Sequence, residues 1–244
     1  MAFSLDHVVI AVSELEQTIA DYRALGFTVY PGGVHHGGVS HNALVIFADG
    51  AYFELIAYRQ AAPDVRWWQV LSKAGEGFVD FALLPENTER DAVAARERGL
   101  DLVGPIAGGR VRLDGAKLDW QTVRPKTTDL PFWCGDITPR TLRVPEGEMR
   151  SHPNGVTGVA SLKVAVADVA KSASRYAALA GAGAVKEISG SARVTIGTTT
   201  VELVADAAHV ATRGEGPMSL VLRGSPAKTL DRKLAHGAAL SIAP

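Results

Sequence analysis

Residues 5–26, LDHVVIAVSELEQTIADYRALG, contain a strand, a helix start and a helix stop in one short run. Leu5 to Val12 is rich in β-branched residues and short, as a strand should be, and it leads into Ser13-Glu14-Leu15-Glu16. That tetrapeptide reads as a capping box, in which Ser13 accepts from the free N–H groups of the first turn while Glu16 reaches back. Leu15, Ile19, Tyr22 and Leu25 supply the apolar face of a helix over about 14–25, and Gly26 ends it. Working outward, a strand is expected at Phe27 to Tyr30, then a glycine- and histidine-rich loop, PGGVHHGGVSH. Two further strands follow, Asn42 to Phe47 and Tyr52 to Ala57, joined by the turn Asp49-Gly50. The order is β-α-β-β-β.

The order recurs. From Val159 the chain reads as strand, helix cap at Asp168, helix, and strands near Ala184–Ile188, Ala192–Ile196 and Thr200–Val204. Set without gaps on the first segment, it matches at Ala11/Ala165, Val12/Val166, Tyr22/Tyr176, Ala24/Ala178 and Leu25/Leu179, and FELIA answers VELVA at the closing strand. Between the copies, Phe78–Leu84, a cap at Asn87 and a helix ending at Gly99 begin another module, with strands near Leu102–Ile106, Leu118–Val123 and Pro131–Asp136. After Pro217, a strand at Ser219–Arg223 and a helix at Pro226–His236 suggest a fourth module cut short. The expected class is α+β. The expected domains are 1–137, made of modules 1–58 and 77–137 joined by a helix within Ala61–Gly75, and 158–244, one module plus the truncated one. Thr138 to Gly158 reads as the linker.

Composition narrows the function classes. The chain has 244 residues, 47% hydrophobic and 21% charged, with a formal net charge of -1, so neither a nucleic acid nor a membrane surface is an expected partner. Its single cysteine, Cys134, excludes an internal disulfide framework. The N-terminus lacks the basic flank and apolar stretch of a signal peptide, and no apolar run approaches the roughly 20 residues of a membrane helix. A cytoplasmic location is expected.

Paired βαβββ modules are the signature of the vicinal oxygen chelate superfamily, and LDHVVIAVSELEQTIADYRALGF resembles its first module. GGVHHGGVSHNALV, AYFELIA, LPFW and SHPNGVTGVA resemble the glyoxalase-like branch. The resemblance implies curved sheets forming an open cup, a divalent metal ion (Fe, Mn, Ni or Zn), and side chains from the first and fourth strands as its ligands. Those places fall on His7 and Glu54. It implies an isomerase, lyase or dioxygenase acting on a small oxygenated molecule, or else a metal-free small-molecule binding protein of the bleomycin-resistance type, and it allows a homodimer.

Residue chemistry supports the placement. Alternation puts His7, Val9 and Ala11 on one strand face, with Val8, Ile10 and Val12 on the other against the helix. Tyr52, Glu54 and Ile56 share a face, and an ionised glutamate among apolar residues needs a cation or a hydrogen-bond donor. Glu54 is also the candidate catalytic group, as a carboxylate able to move protons. His41 is a candidate third ligand or substrate contact, and Asn42 a candidate substrate contact. The second half of the site is open. Pairing of modules one and two brings Asp80 and then Asp136 or Cys134; pairing of one and three brings Glu202, with Ser161 in the place of His7. His35 and His36 read as residues of a loop able to act as a lid, Lys163 as a strand lysine reaching water, Arg140 and His152 as linker residues, and Trp67 and Trp68 as module-packing residues.

Overall fold

The computed structural model describes residues 3–244. The first half runs β1 (Ser4–Val12), α1 (Leu15–Ala24), β2 (Tyr30–His35), β3 (Ser40–Ile46), β4 (Tyr52–Tyr58), α2 (Arg66–Ala74), β5 (Gly77–Leu84), α3 (Thr88–Glu97), β6 (Leu102–Val111), β7 (Lys117–Pro125) and β8 (Phe132–Asp136). Its eight strands close into a barrel in the order β1-β4-β3-β2-β6-β7-β8-β5. Modules one and two therefore pair. The seam between β2 and β6 is short, with Val34 opposite Val111 and His35 opposite Arg110. A short helix α4 (Arg140–Arg143) leads to the second half: β9 (Val156–Val166), α5 (Val169–Ala180), β10 (Val185–Ile188), β11 (Ser191–Ile196), β12 (Thr199–Ala205), α6 (Ala207–Arg213), β13 (Gly216–Gly224), β14 (Lys228–Thr229) and β15 (Leu240–Ala243).

The repeat is structural. In the parallel β1/β4 pair His7 faces Tyr52 and Val9 faces Glu54, and in β9/β12 Ser161 faces Thr200 and Lys163 faces Glu202. The second half forms a seven-stranded sheet, β10-β11-β12-β9-β13-β15-β14. In it β13 runs antiparallel to β9 and β15 parallel to β13, as β5 and β8 do in the barrel. The sheet stays unclosed because the last module carries only these strands. Both halves share one core: Val8, Ile10 and Val12 meet Leu15, Ile19 and Tyr22 of α1 and Val159, Leu162 and Val164 of β9. Each such fully buried aliphatic side chain contributes about 1.5–3 kcal/mol.

Four local expectations are corrected. Ser13 does not cap α1: the cap position is Glu14, without a side-chain cap bond, and the Ser13 N–H donates to Glu76 Oε1 at 2.7 Å. The loop expected at 31–41 is largely strand, since β2 occupies Tyr30–His35 and pairs with both β3 and β6. Pro226–His236 is not a helix. Asp231 Oδ1 accepts the Lys233 and Leu234 N–H groups in a tight turn, and Lys228 and Thr229 pair with β15 instead. Finally, α6 was not foreseen; it follows β12 as α2 follows β4. The caps at Asn87 and Asp168 form as read, each accepting a backbone N–H three residues on.

Candidate active site

Alternation along β1 and β4 turns Val9, Ala11 and Ile56 into the barrel, where they pack with Val79, Ala82, Phe132 and Cys134. Against this apolar floor opens a cavity of about 690 Å³, into which His7, Asn42, Glu54, Tyr58, Trp67 and Trp120 project. Its size lies within the range of small-molecule sites.

The polar centre is built in layers. Asp6, fully buried, accepts from Arg143 Nη1 at 2.8 Å and Nη2 at 3.1 Å and from Arg140 Nη1 at 2.6 Å. Burial alone would raise its pKa, but Arg143, then Arg140 and His7, hold it well below the usual carboxylate range. An ionised Asp6 has no proton to give, so the 2.6 Å contact is His7 Nδ1–H donating to Asp6 Oδ2. The ring is further fixed by stacking on Tyr52, with centroids 4.7 Å apart, and Tyr52 OH accepts from Arg143 Nη1 at 2.7 Å. His7 Nε2 is thereby aimed at Glu54 Oε2, 3.5 Å away.

Glu54 is held from its other side. Asn42 Nδ2 donates to Glu54 Oε1 at 2.6 Å, and Arg110 Nη1 donates to Asn42 Oδ1 at 3.0 Å, which fixes the orientation of the amide. His35 Nε2 lies 3.3 Å from the same Oε1, while its Nδ1 is 2.9 Å from Ser40 Oγ. Burial would raise the Glu54 pKa, yet His35, His7 and the Asn42 donor outweigh it and hold the carboxyl at about 2. Arg110 is buried as well, and burial lowers its pKa against the pull of Tyr52 and Glu54. The crossing of Asn42 and Arg110 requires Gly32, where a Cβ would stand 1.9 Å from Asn42 Oδ1 and 2.7 Å from Arg110 Nη1.

The structure brings together His7, Glu54, Asn42 and His35 of the residues singled out from sequence, His35 coming from strand β2 rather than from a lid loop. His41 is not among them: it precedes Asn42 on β3, so its side chain leaves by the opposite face, and it does not line the cavity. Asp80 lines the cavity but is taken up by Arg66 Nη2 at 2.6 Å and Trp67 Nε1 at 2.9 Å. Asp136 is bound to Arg140 and Arg143. Glu202 belongs to the second sheet and faces Lys163 at 3.7 Å. Cys134 is packed, and burial pushes its thiol pKa up. Trp67 lines the cavity and tilts against Phe132 at 5.4 Å, and His36 stands exposed at the rim. Arg140 clamps Asp6, and His152 is buried beside Phe27 and Phe47.

Asp6, Arg110 and Arg143 escaped the sequence reading, and Tyr52 was read only as a neighbour of Glu54 on its strand face. The signal for Asp6 was its adjacency to His7; a register shift between Leu5 and His7 breaks the alternation that would send it outward.

Part of the donor set has the chemistry of a divalent-metal site. A metal-binding histidine ordinarily donates its second ring N–H to a carboxylate, as His7 does to Asp6. Two bonds of roughly 2.1 Å meeting at about 110° place their ligand atoms about 3.4 Å apart, close to the 3.5 Å between His7 Nε2 and Glu54 Oε2. These two residues fit. Among the described residues, however, no group of three or more His, Cys, Asp or Glu side chains is arranged to hold a metal ion.

The fold is shared with proteins of known structure. The chain is similar across 99% of its length to 99% of a hypothetical protein from Staphylococcus aureus, with a TM-score of 0.79 at 13% identity. It is similar over 92% of its length to 72% of a triple mutant of 4-hydroxymandelate synthase from Streptomyces coelicolor, with a TM-score of 0.62 at 12% identity. It is also similar over 91% of its length to 37% of a fusion of a xylose isomerase-like TIM barrel with a 4-hydroxyphenylpyruvate dioxygenase, with a TM-score of 0.56 at 14% identity. No curated protein sequence matches the chain. The family model described as a glyoxalase-like domain matches residues 5–180, and the chain belongs to that family.

Proposed function

We propose that the barrel cavity is the active site of a divalent-metal-dependent enzyme acting on a small oxygenated molecule, by isomerase, lyase or dioxygenase chemistry, with His7 and Glu54 as ligands. The observation that carries this reading is the Asp6–His7 pair aimed at an ionised Glu54. His7 Nδ1 is taken by Asp6 and Nε2 lies 3.5 Å from Glu54 Oε2, so a proton or a divalent cation would be held between the two. His35 Nε2, on the same carboxylate, is the nearest further donor. A bound divalent ion would supply Lewis acidity towards a carbonyl or enediolate oxygen, or activate water or dioxygen.

The protein's own groups divide the remaining work. A carboxyl held at about 2 stays ionised at neutral pH and is a weak proton acceptor. Glu54 therefore moves a proton at Oε1 only when the donors on that atom, Asn42 and His35, loosen. Asn42 orients the carboxylate and leaves it one fixed geometry. The apolar floor of Val9, Ile56 and Phe132 excludes water beneath the polar centre.

A second reading, a metal-free binding protein, is favoured by one observation: the acids of the partner module, Asp80 and Asp136, are both occupied by arginines. Loading the protein with Fe, Mn, Ni and Zn in turn, desalting, and analysing for metal separates the two. The enzyme reading expects about one ion per chain, lost in His7→Ala with the fold retained by circular dichroism. Retention of none by the wild type, or equal retention by the variant, favours the binding protein.

A further inference from the structure

Beyond the polar centre the cavity has a basic mouth. Five cationic side chains line the cavity. Three are matched by carboxylates: Arg66 to Asp80 at 2.6 Å, Lys126 to Asp101 at 3.0 Å, and Arg143 to Asp6 and Asp136; Arg110 is buried at the polar centre and spent on Asn42 Oδ1 and the Arg143 carbonyl. Arg124 has no carboxylate partner among the described residues. Its guanidinium lies over the Trp67 ring, 6.0 Å from the centroid. Tyr58, last on the inward row Tyr52, Glu54, Ile56, Tyr58 of β4, faces the same cavity from across the barrel. The Tyr58 oxygen is buried with no hydrogen-bond partner, an unfavourable state for a phenol unless a ligand supplies an acceptor. Tyr58 and Glu54 lie on one inward row of β4 with Ile56 between them, and all three line the cavity.

Resting on the reading of the cavity as a substrate site, we infer that its ligand is a small organic carboxylate with an apolar body, its carboxylate held by Arg124 and Tyr58. The other end of the molecule then reaches His7 and Glu54. Glu54 and Tyr58 are four residues apart on one strand face, a separation of about 13 Å between Cα atoms, with Ile56 between them. The stretch between the two polar ends is walled by Ile56, Trp67, Trp120 and Phe132, so the middle of the ligand is apolar. Arg124 is exposed to solvent, and a neutral ligand would gain no charge-assisted hydrogen bond from it. A dianion would gain little from the mouth, because Arg66 and Lys126 are already paired.

Trp67 and Trp120 line the cavity and report occupancy by their fluorescence. The test titrates 3-phenylpropionate and its neutral isostere 3-phenylpropionamide into metal-free and Mn-loaded protein. A charge-assisted hydrogen bond to the carboxylate corresponds to a preference of about tenfold or more for the acid. Arg124→Gln should erase that preference and leave the affinity for the amide unchanged; Arg124→Lys should keep part of it, and Tyr58→Phe should reduce it several-fold. Raised ionic strength should weaken the acid only. The inference is overturned if acid and amide bind equally, if neither binds, or if Arg124→Gln keeps the preference. The metal-free titration reads carboxylate recognition alone, so a failure of metal retention is seen separately.

Discussion

Replacing Glu54 by glutamine keeps the side chain's shape and removes its charge, which isolates the electrostatic content of the site. Folding lowers the Glu54 pKa from 4.5 to about 2. At about 1.4 kcal/mol per unit, that shift corresponds to roughly 3 kcal/mol of stability in a nearly fully buried group. The folded value is depressed, so this stability is fully present above pH 4.5 and is lost as pH falls towards 2. Two-state linkage leaves about 1.4 kcal/mol of it at pH 3 and about 0.4 kcal/mol at pH 2. Urea denaturation of wild type and E54Q should therefore give a gap of about 3 kcal/mol at pH 7 that shrinks to about half by pH 3. A gap that does not change with pH, or an E54Q protein more stable than wild type at pH 7, would show that His35, His7 and Asn42 do not outweigh the burial of this carboxylate.

Three further perturbations probe the surroundings. Asp6→Asn leaves Arg143 buried with half its neutralising partners, and a loss of about 3–5 kcal/mol is expected in urea denaturation; a loss below about 1 kcal/mol would contradict the clamp. Gly32→Ala drives a methyl group onto the Asn42–Arg110 contact, and should raise the Glu54 pKa in a carbonyl-carbon NMR titration with little change in secondary structure. His236 joins the end of the second sheet to the barrel, with Nδ1 2.8 Å from Glu76 and Nε2 3.1 Å from Asp21. His236→Ala should cost about 1–3 kcal/mol. Because the Glu76 pKa is lowered in the fold, its share of that loss should fade as pH drops below the ordinary glutamate value.

What the sequence disclosed was local. The alternation of LDHVVIAV and YFELIAY set His7 and Glu54 on inward faces, and the repeat placed Ser161 and Glu202 at the equivalent positions, because strand periodicity is carried by each segment alone. The same rule separates His41 from Asn42, adjacent on one strand, so they could not both face the cavity. The partners of His7 and Glu54 are another matter. Arg110 reaches Asn42 only because β6 closes against β2, and Arg140 and Arg143 return from beyond β8 to meet Asp6. Such contacts depend on barrel closure, which no periodicity encodes. Pro31-Gly32-Gly33 looks like loop composition, yet these residues sit in a strand where Gly32 makes room for a side-chain crossing.

The central claim is that His7 and Glu54 form one end of a metal site inside the barrel. The most direct measurement is a crystal structure of the Mn-loaded protein with an anomalous difference map. The account predicts a single strong peak bonded to His7 Nε2 and to Glu54, at about 2.0–2.3 Å from each, with Asp6 still on His7 Nδ1. A map with no peak there, or with density only at His36 on the rim, would contradict it.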